Sequence, residues 1–359
     1  MPSLRILYLA PCRPTERSFG TQLRTLQVAS ALQKLGELDV VVVKHAQQDD
    51  TEDPGAGARF NIRRVIRLQP RPTRTLADRW RCAFDARYLG YHGHGVEEAD
   101  RLFVLNELPH YDLVWLHQLP TANVFGRWAW PRSVMDLDDI PSTYLRTLAD
   151  ESPGTLARFR AKLQLKVARR RERLLVERFN VITVCSEDDR RYLGPGPNVH
   201  VIPNGFVRPD SEPVRRAVTA PLLGFIGTFE YAPNAGGVRW FVDHCWPLIR
   251  DRIPGARLRL IGRGSDGPEG PKGDGIEALG WVADPTVEIA TWSAMVVPVR
   301  TGAGTRIKIA EGFSRKCPIV STPLGSHGYD VAHGRELSLA DSPEAFAAAC
   351  IAAIRQPDE

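Results

Sequence analysis

The residues best able to do chemistry share one short stretch, MVVPVRTGAGTRIKIAEGFSRKCPIVSTPLGSHG, from Met295 to Gly328. Its centre places Gly302, Gly304 and Thr305 directly before Arg306, Lys308 and Glu311. Glycines let a backbone come close to a ligand, and a helix starting beside them offers unpaired N–H groups at the positive end of its dipole. Two cations added to that start make a site suited to phosphate. Thr305 is expected to cap the first turn, and Glu311, one turn further on, is placed to take a pair of sugar hydroxyls. These are the parts needed to hold a nucleoside diphosphate by its ribose and phosphates. An ordinary βαβ unit with a solvated charged face has the same spacing, so spacing alone does not separate the two readings.

Elsewhere the chain offers fewer candidates. Leu113 to His117 (LVWLH) reads as a strand ending in a histidine, where strands of open α/β sheets deliver residues to a crevice. Ser133 to Asp139 (SVMDLDD) ends in Asp136, Asp138 and Asp139. A D-x-D pair can hold a divalent metal, but the cationic helix start already neutralises phosphate charge, so neither metal nor cofactor is expected. Capping of a following helix near Pro141 and Ser142 is the other use of these acids. Gly262, Gly264 and Gly267 spell G-x-G-x-x-G, yet the PEGPKGDG that follows cannot be a helix and leaves no N-terminus for a pyrophosphate.

The elements that must position these groups alternate strand and helix. Leu4 to Ala10 is a buried strand ended by Pro11, Thr21 to Leu35 has helical spacing, and Leu38 to Val43 is the next strand, the opening of a parallel doubly wound sheet. Val181 to Val184 is a strand before a helix capped by Ser186, and Val199 to Gly205 (VHVIPNG) stops and turns the chain. A second sheet begins at Leu222 to Ile226, closed by Gly227, followed by a helix over Gly236 to Ile249, a strand at Leu258 to Gly262 and a last helix over Ser342 to Ala353. A chain of 359 residues suggests two domains, and the boundary is set near Gly205.

Composition excludes several classes. No window is long and apolar enough to span a bilayer, and Met1 to Ala10 lacks the basic start of a signal peptide, so a cytoplasmic protein is expected. The six cysteines are scattered without close pairs, against a zinc site or a disulfide framework. The net charge of +5 is unevenly placed. TEDPGAGA (51–58) reads as a surface loop, and Arg59 to Arg87 interleaves arginine with aromatics, but no zinc finger, RNP or KH signature accompanies them and nucleic acid is not an expected partner. The helix over Leu156 to Phe179 carries nine basic residues against Glu172 and Glu177, which reads either as a solvated face or as one that binds an anionic surface.

The stretch around Lys308 resembles the donor-binding segment of glycosyltransferase family 4, retaining transferases of the GT-B fold. Lys308, Glu311, Pro318 to Thr322 and Gly325 sit on that family's pattern, as does VHVIPNG at the domain crossing. Many members carry two Glu separated by seven residues, and the first is replaced here by Ala303. The resemblance implies two facing Rossmann-like domains with a deep cleft, 1–205 on the acceptor side and 206–359 binding the nucleotide sugar. It implies sugar transfer to an acceptor hydroxyl with retention, without metal, in cell-surface polysaccharide or glycolipid synthesis. Glu311 would hold the ribose, and Arg306, Lys308 and the Gly302–Thr305 turn would hold the diphosphate, with Arg300 a further candidate because Tyr231, Pro233 and Asn234 replace the family's basic pair. Gly227, Arg263 and Gly264 would border the nucleotide, and Trp281 and Val282 its base. Gly20 and Arg24 match the family's glycine loop, His117 its histidine beside the transferred sugar, and Asp139 is expected to orient His117 or an acceptor hydroxyl. The implied partners are a nucleotide-sugar donor, a glycan or lipid-linked acceptor, and an anionic membrane surface at the inner face. A sugar-nucleotide epimerase or hydrolase on the same fold, or a scaffold without activity, are the rival functions.

Overall fold

In strand β1 (Leu4–Ala10), Ile6, Tyr8 and Ala10 are buried on one face and Leu7 and Leu9 on the other. A strand apolar on both faces must be covered on both, which parallel sheets achieve with crossover helices. A computed structural model describes residues 3–15, 20–45, 59–70, 75–89, 93–152, 154–194, 196–206 and 221–356, and shows this arrangement twice. The loop read at 51–58, and part of the arginine-rich segment, lie outside the described residues.

The first unit runs β1, α1 (Thr21–Gln33), β2 (Gly36–His45), β3 (Asn61–Pro70), α2 (Leu76–Phe84), β4 (His94–Gly95), α3 (Glu98–Glu107), β5 (Leu113–His117), α4 (Leu119–Asn123) and β6 (Ser133–Leu137). It continues through α5 (Pro141–Glu151), α6 (Thr155–Arg173), α7 (Leu175–Arg178), β7 (Val181–Val184), α8 (Glu187–Leu193) and β8 (Val199–Val201). Its eight strands are ordered β4-β3-β2-β1-β5-β6-β7-β8, parallel except for the antiparallel β3–β4 pair.

The second unit holds β9 (Leu222–Ile226), α9 (Ala232–Trp240), α10 (Trp246–Arg252), β10 (Arg257–Ile261), β11 (Ile276–Ala278), α11 (Thr286–Ile289), β12 (Ala294–Val297), α12 (Ile307–Ser314), β13 (Ile319–Ser321), β14 (Ser338–Leu339) and α13 (Pro343–Arg355). Its six parallel strands are ordered β11-β10-β9-β12-β13-β14. Contacts divide the chain into Met1–Ala149 with Pro153–Gly205, and Asp150–Ser152 with Phe206–Glu359. The turn at Ile202–Gly205 is tied to α1: Arg24 Nη1 donates to the Ile202 carbonyl (3.0 Å) and Asn204 Oδ1 (2.8 Å), and Gly205 N–H to Gln27 Oε1 (3.2 Å).

Two expected helices differ in form. The helix expected over Gly236 to Ile249 is α9, a π-helical turn at Phe241–Cys245, and α10. Pro247, without an N–H and with a ring that clashes with the carbonyl four residues back, falls just after that turn, whose longer spacing accommodates it. The helix expected over Leu156 to Phe179 is two, with Leu174 (φ −88°, ψ −2°) between them.

Each sheet has one place where strand order reverses. In the first unit it lies between β1 and β5, and in the second between β9 and β12. Ligands of open α/β sheets bind beyond the carboxyl ends of strands at such a point. His117 ends β5, Gly227 follows β9, and the segment to Arg306 follows β12.

Candidate active site

At the second unit's reversal point two helices begin, α9 after β9 and α12 after β12, and no side chain caps either. Thr305 does not cap α12 as expected. The helix starts at Ile307 with Arg306 in the cap position, so Thr305 lies one residue too early. The turn before it relies on Gly302, whose φ of 125° disfavours any side chain and whose hydrogen faces Arg306 Nη2, where a Cβ would sit 2.6 Å away.

Arg306 is 7% exposed, and its guanidinium folds back over this turn. Nη1 donates to the carbonyls of Ala303 and Gly304, while the buried Nε and Nη2 have no partner among the described residues. Buried donors without acceptors are rare, because each loses its hydration without replacement. Lys308 is half-buried. Its Nζ donates to Asn234 Oδ1 (2.8 Å) and lies 5.1 Å from the Phe225 ring centre. Burial, then the Arg306 charge, lowers its pKa to about 7, against the pull of Glu311. Asn234, buried at the start of α9, also donates from Nδ2 to the Thr228 carbonyl (2.9 Å), which fixes its amide with the oxygen towards Lys308. Sequence reasoning noted Asn234 only as a replacement for a basic residue. The signal available was its position at the start of the helix that follows Gly227.

Glu311 is buried, with Oε1 3.4 Å from Arg315 Nη1. Burial raises its pKa against the charges of Arg315 and Lys308. Arg300 is not part of this cluster. It stacks over Trp240 at 4.8 Å and donates to the Asp341 carbonyl (3.2 Å), so its charge is used in packing α9 near α13. Gly227, Arg263 and Gly264 are brought together by backbone bonds, Gly227 N–H to the Ile261 carbonyl and Phe229 N–H to that of Arg263, both 2.9 Å. Gly262 N–H reaches the Gly280 carbonyl (2.8 Å), which adds the Trp281–Val282 segment to the same rim. Trp281 is 47% exposed and Val282 packs against the core.

In the first unit, Gly20 (φ 55°, ψ −120°) takes the cap position of α1 in a conformation reserved for glycine. Arg24 is buried and grips Asp136 with two bonds, Nε to Oδ2 (3.0 Å) and Nη2 to Oδ1 (2.5 Å). Thr183 Oγ1 also donates to Asp136 (2.8 Å). Asp136 is thereby a structural counter-ion, and among the described residues no group of three or more His, Cys, Asp or Glu is placed to hold a metal.

His117 has no exposed surface (0%), and both ring nitrogens are engaged. Nδ1 lies 3.0 Å from Tyr8 Oη and 3.1 Å from Thr25 Oγ1, and Nε2 lies 3.3 Å from Asp138 Oδ2. Thr25 gives its proton to the Thr21 carbonyl (2.8 Å), and Tyr8 stays protonated because burial, then the Asp136 charge, raises its pKa far above the usual phenol range. Tyr8 therefore donates to Nδ1, and Nε2 carries the proton that Asp138 accepts. Burial raises the Asp138 pKa, but a His117 charge and hydrogen bond, then Gln118 and Arg24, bring it below the usual value.

The acid that orients His117 is thus Asp138 and not Asp139, which is exposed beyond the end of β6. At the start of α5, Glu172 of α6 accepts the Ser142 N–H (2.8 Å) and hydroxyl (2.5 Å) with its carboxylate. Gln118 is held at φ 68°, ψ 136°, a strained backbone for a residue with a side chain, and its Nε2 donates to Asp138 Oδ2 (2.9 Å).

Two doubly wound sheets, each with polar groups gathered at its reversal point, are the make-up of the GT-B fold. Residues 19–205 match the family described as glycosyl transferase 4-like domain, over half of the chain, and residues 220–356 match glycosyl transferases group 1; the protein belongs to this group of glycosyltransferases. Solved structures similar to it include TarM (TM-score 0.61, 8% identity, 99% of this chain and 95% of that one) and the pneumococcal O-GlcNAc transferase GtfA in complex with UDP and GlcNAc (0.62, 11%, 99% and 93%). A third is Anabaena HepE in complex with UDP and glucose (0.57, 14%, 99% and 90%). A Klebsiella pneumoniae protein described as an uncharacterized 44.6 kDa protein in cps region is 26% identical over 133 residues, so the match spans 34% of this chain and 34% of that relative's length.

Proposed function

We propose that the protein transfers a sugar from a nucleoside diphosphate sugar to an acceptor hydroxyl with retention of anomeric configuration, in surface polysaccharide or glycolipid synthesis. The observation that carries the reading is the two buried donor nitrogens of Arg306, Nε and Nη2, that have no partner among the described residues, beside Lys308 and an uncapped helix start. An anionic oxygen is the acceptor those donors lack, and a diphosphate supplies several. The UDP held by HepE and GtfA supports a uridine donor as the first to try.

In the proposed reaction the bond from the anomeric carbon to the diphosphate oxygen breaks, with its electron pair leaving on the diphosphate. A bond from the acceptor oxygen forms on the same face, and the acceptor proton passes to the departing phosphate. Arg306, Lys308 and the start of α12 stabilise the charge gathering on that phosphate, so the step runs without a metal. Glu311 Oε2 takes the ribose hydroxyls while Oε1 stays with Arg315, and the rim of Gly227, Arg263, Gly264, Trp281 and Val282 takes the base. His117, sealed from solvent, acts through Asp138 and Gln118 as a positioning residue for the transferred sugar.

The test is a thermal-shift and calorimetric screen against UDP, GDP, ADP and TDP and their common sugars, with and without magnesium. The expected result is selective, metal-independent binding that Arg306→Gln weakens about tenfold to a hundredfold, the loss of charged hydrogen bonds. No binding of any nucleoside diphosphate would overturn the reading and favour a scaffold.

A further inference from the structure

Helix α12 ends one turn beyond Glu311, and the way it ends places Arg315. Arg315 is the cap residue, and Lys316 follows at φ 54°, a left-handed position that glycine usually takes. Lys316 N–H then reaches the Phe313 carbonyl (3.1 Å) and Cys317 N–H the Gly312 carbonyl (3.0 Å), so the turn closes on the helix and fixes the Arg315 backbone. The buried Arg315 guanidinium meets three segments. Nη1 lies 3.4 Å from both the carbonyl oxygen and Oε1 of Glu311, Nε donates to Thr286 Oγ1 (3.1 Å), and Cζ stands 5.4 Å from the Phe206 ring centre. Thr286 opens α11, the element that follows the Trp281–Val282 segment, and Phe206 is where the second unit resumes after the turn at Gly205. A guanidinium that served only to cap a helix end would need backbone carbonyls alone. This one also engages a buried acid and a second helix.

We infer that Arg315 is a positioning residue for the donor ribose: it holds Glu311 as an oriented carboxylate whose other oxygen receives the ribose hydroxyls, and ties that acid to the helix following the base segment. The inference rests on the donor reading above. A carboxyl group with so little solvent is driven to take up a proton, and a protonated one offers the ribose a weaker acceptor than an anion does. Two cations oppose that proton, Arg315 more than Lys308. Lys308 is itself pulled towards neutrality by burial and donates to Asn234, whereas an arginine keeps its charge. Arg315 is therefore the constant counter-charge. With Nε anchored on Thr286, its planar fork also presents Nη1 to Glu311 at a fixed angle, which a lysine does not.

The experiment measures, by calorimetry on the full chain, the affinities for UDP and for its 2′,3′-dideoxy analogue, or for the same pair on whichever base binds best. Their ratio is the share of binding due to the ribose hydroxyls, and Lys308 protonation cancels from it because both ligands carry the same diphosphate. In the wild type the ratio should be on the order of tenfold or more, as for hydrogen bonds to a charged group. Arg315→Met should lower it by about tenfold at neutral pH and let it recover as the pH rises, because Glu311 without that cation ionises only at higher pH. Affinity for the dideoxy analogue should hold. Arg315→Lys keeps the buried charge, and so serves where Arg315→Met does not fold; it should lower the ratio by less and without the pH dependence. Equal losses for both nucleotides, or an unchanged ratio in whichever variant folds, would overturn the inference and leave Arg315 a support for the helix end. Failure of the wild type to bind either nucleotide would instead refute the donor site, and this role with it.

Discussion

Lys308 makes a prediction that tests the donor site through protons. With its pKa lowered to about 7 from 10.5 by burial and by Arg306, the amine is largely neutral above that pH in the unliganded protein. A bound diphosphate supplies the opposite charge it lacks and returns the pKa towards its ordinary value. At pH 8 the free amine is then about 0.1 protonated and the bound one close to fully so, and binding should take up about 0.9 proton, with affinity falling roughly tenfold per pH unit above 7. Calorimetry of UDP-glucose in buffers of different ionisation enthalpy reads this uptake as a slope, and the diester diphosphate of that ligand does not itself titrate there. Lys308→Met should bring the slope near zero and flatten the pH dependence. Arg306→Gln removes a charge that lowers the Lys308 pKa, so its residual binding should take up less than the wild type. A slope near zero in the wild type, or one that survives Lys308→Met, would refute the account.

The same shift bears on stability. Between about 7 and 10.5 the unfolded chain binds more protons at Lys308 than the folded one, so unliganded stability should rise with pH across that window relative to Lys308→Met, in denaturant melts at fixed salt. Arg24→Ala leaves Asp136 buried without its partner and should lower stability by about 3–5 kcal/mol, seen as a shift of the urea midpoint, whereas a surface ion pair would lose about 1 kcal/mol or less. Gly302→Ala combines a φ of 125° with a Cβ placed against Arg306 Nη2; nucleotide affinity should fall by about tenfold through displaced donors, with stability lowered by about 1–3 kcal/mol. Asp138→Asn is expected to reduce turnover by on the order of 100-fold with UDP affinity retained, and an equal loss of both would remove the positioning role from His117.

What the sequence discloses and what it hides follow from how each feature is encoded. β1 and β5 were legible at their observed limits because parallel strands are apolar on both faces and stand out as runs bounded by Pro11 and Gln118. The cations and glycines before α12 were legible because a site for phosphate needs residue types that few other structures need together. Their geometry was not. Nothing in a one-dimensional pattern states that Arg306 turns back on Ala303 and Gly304 or that Arg300 stacks on Trp240, since both arginines have equal local credentials and different distant neighbours.

The polar cluster around His117 was hidden for a related reason. Its members, Tyr8, Thr25, Gln118 and Asp138, come from four elements and meet only when β1 and β5 pair. Asp138 and Asp139 differ by one position, and only the exit direction of β6 turns the first towards His117. Gln118 carries the strongest sign of purpose, a side chain held at φ 68°, and that sign is invisible without the backbone. Strain there persists because the chain is tied on both sides: Gln118 N–H to the Asp136 carbonyl (2.9 Å) and its amide to Asp138. A glycine at 118 would relieve about 1–3 kcal/mol of strain and surrender the hydrogen bond that, with His117, holds Asp138. A sequence that keeps glutamine in a position suited to glycine uses its side chain, and Asp138, the group it grips, is where that use is expressed.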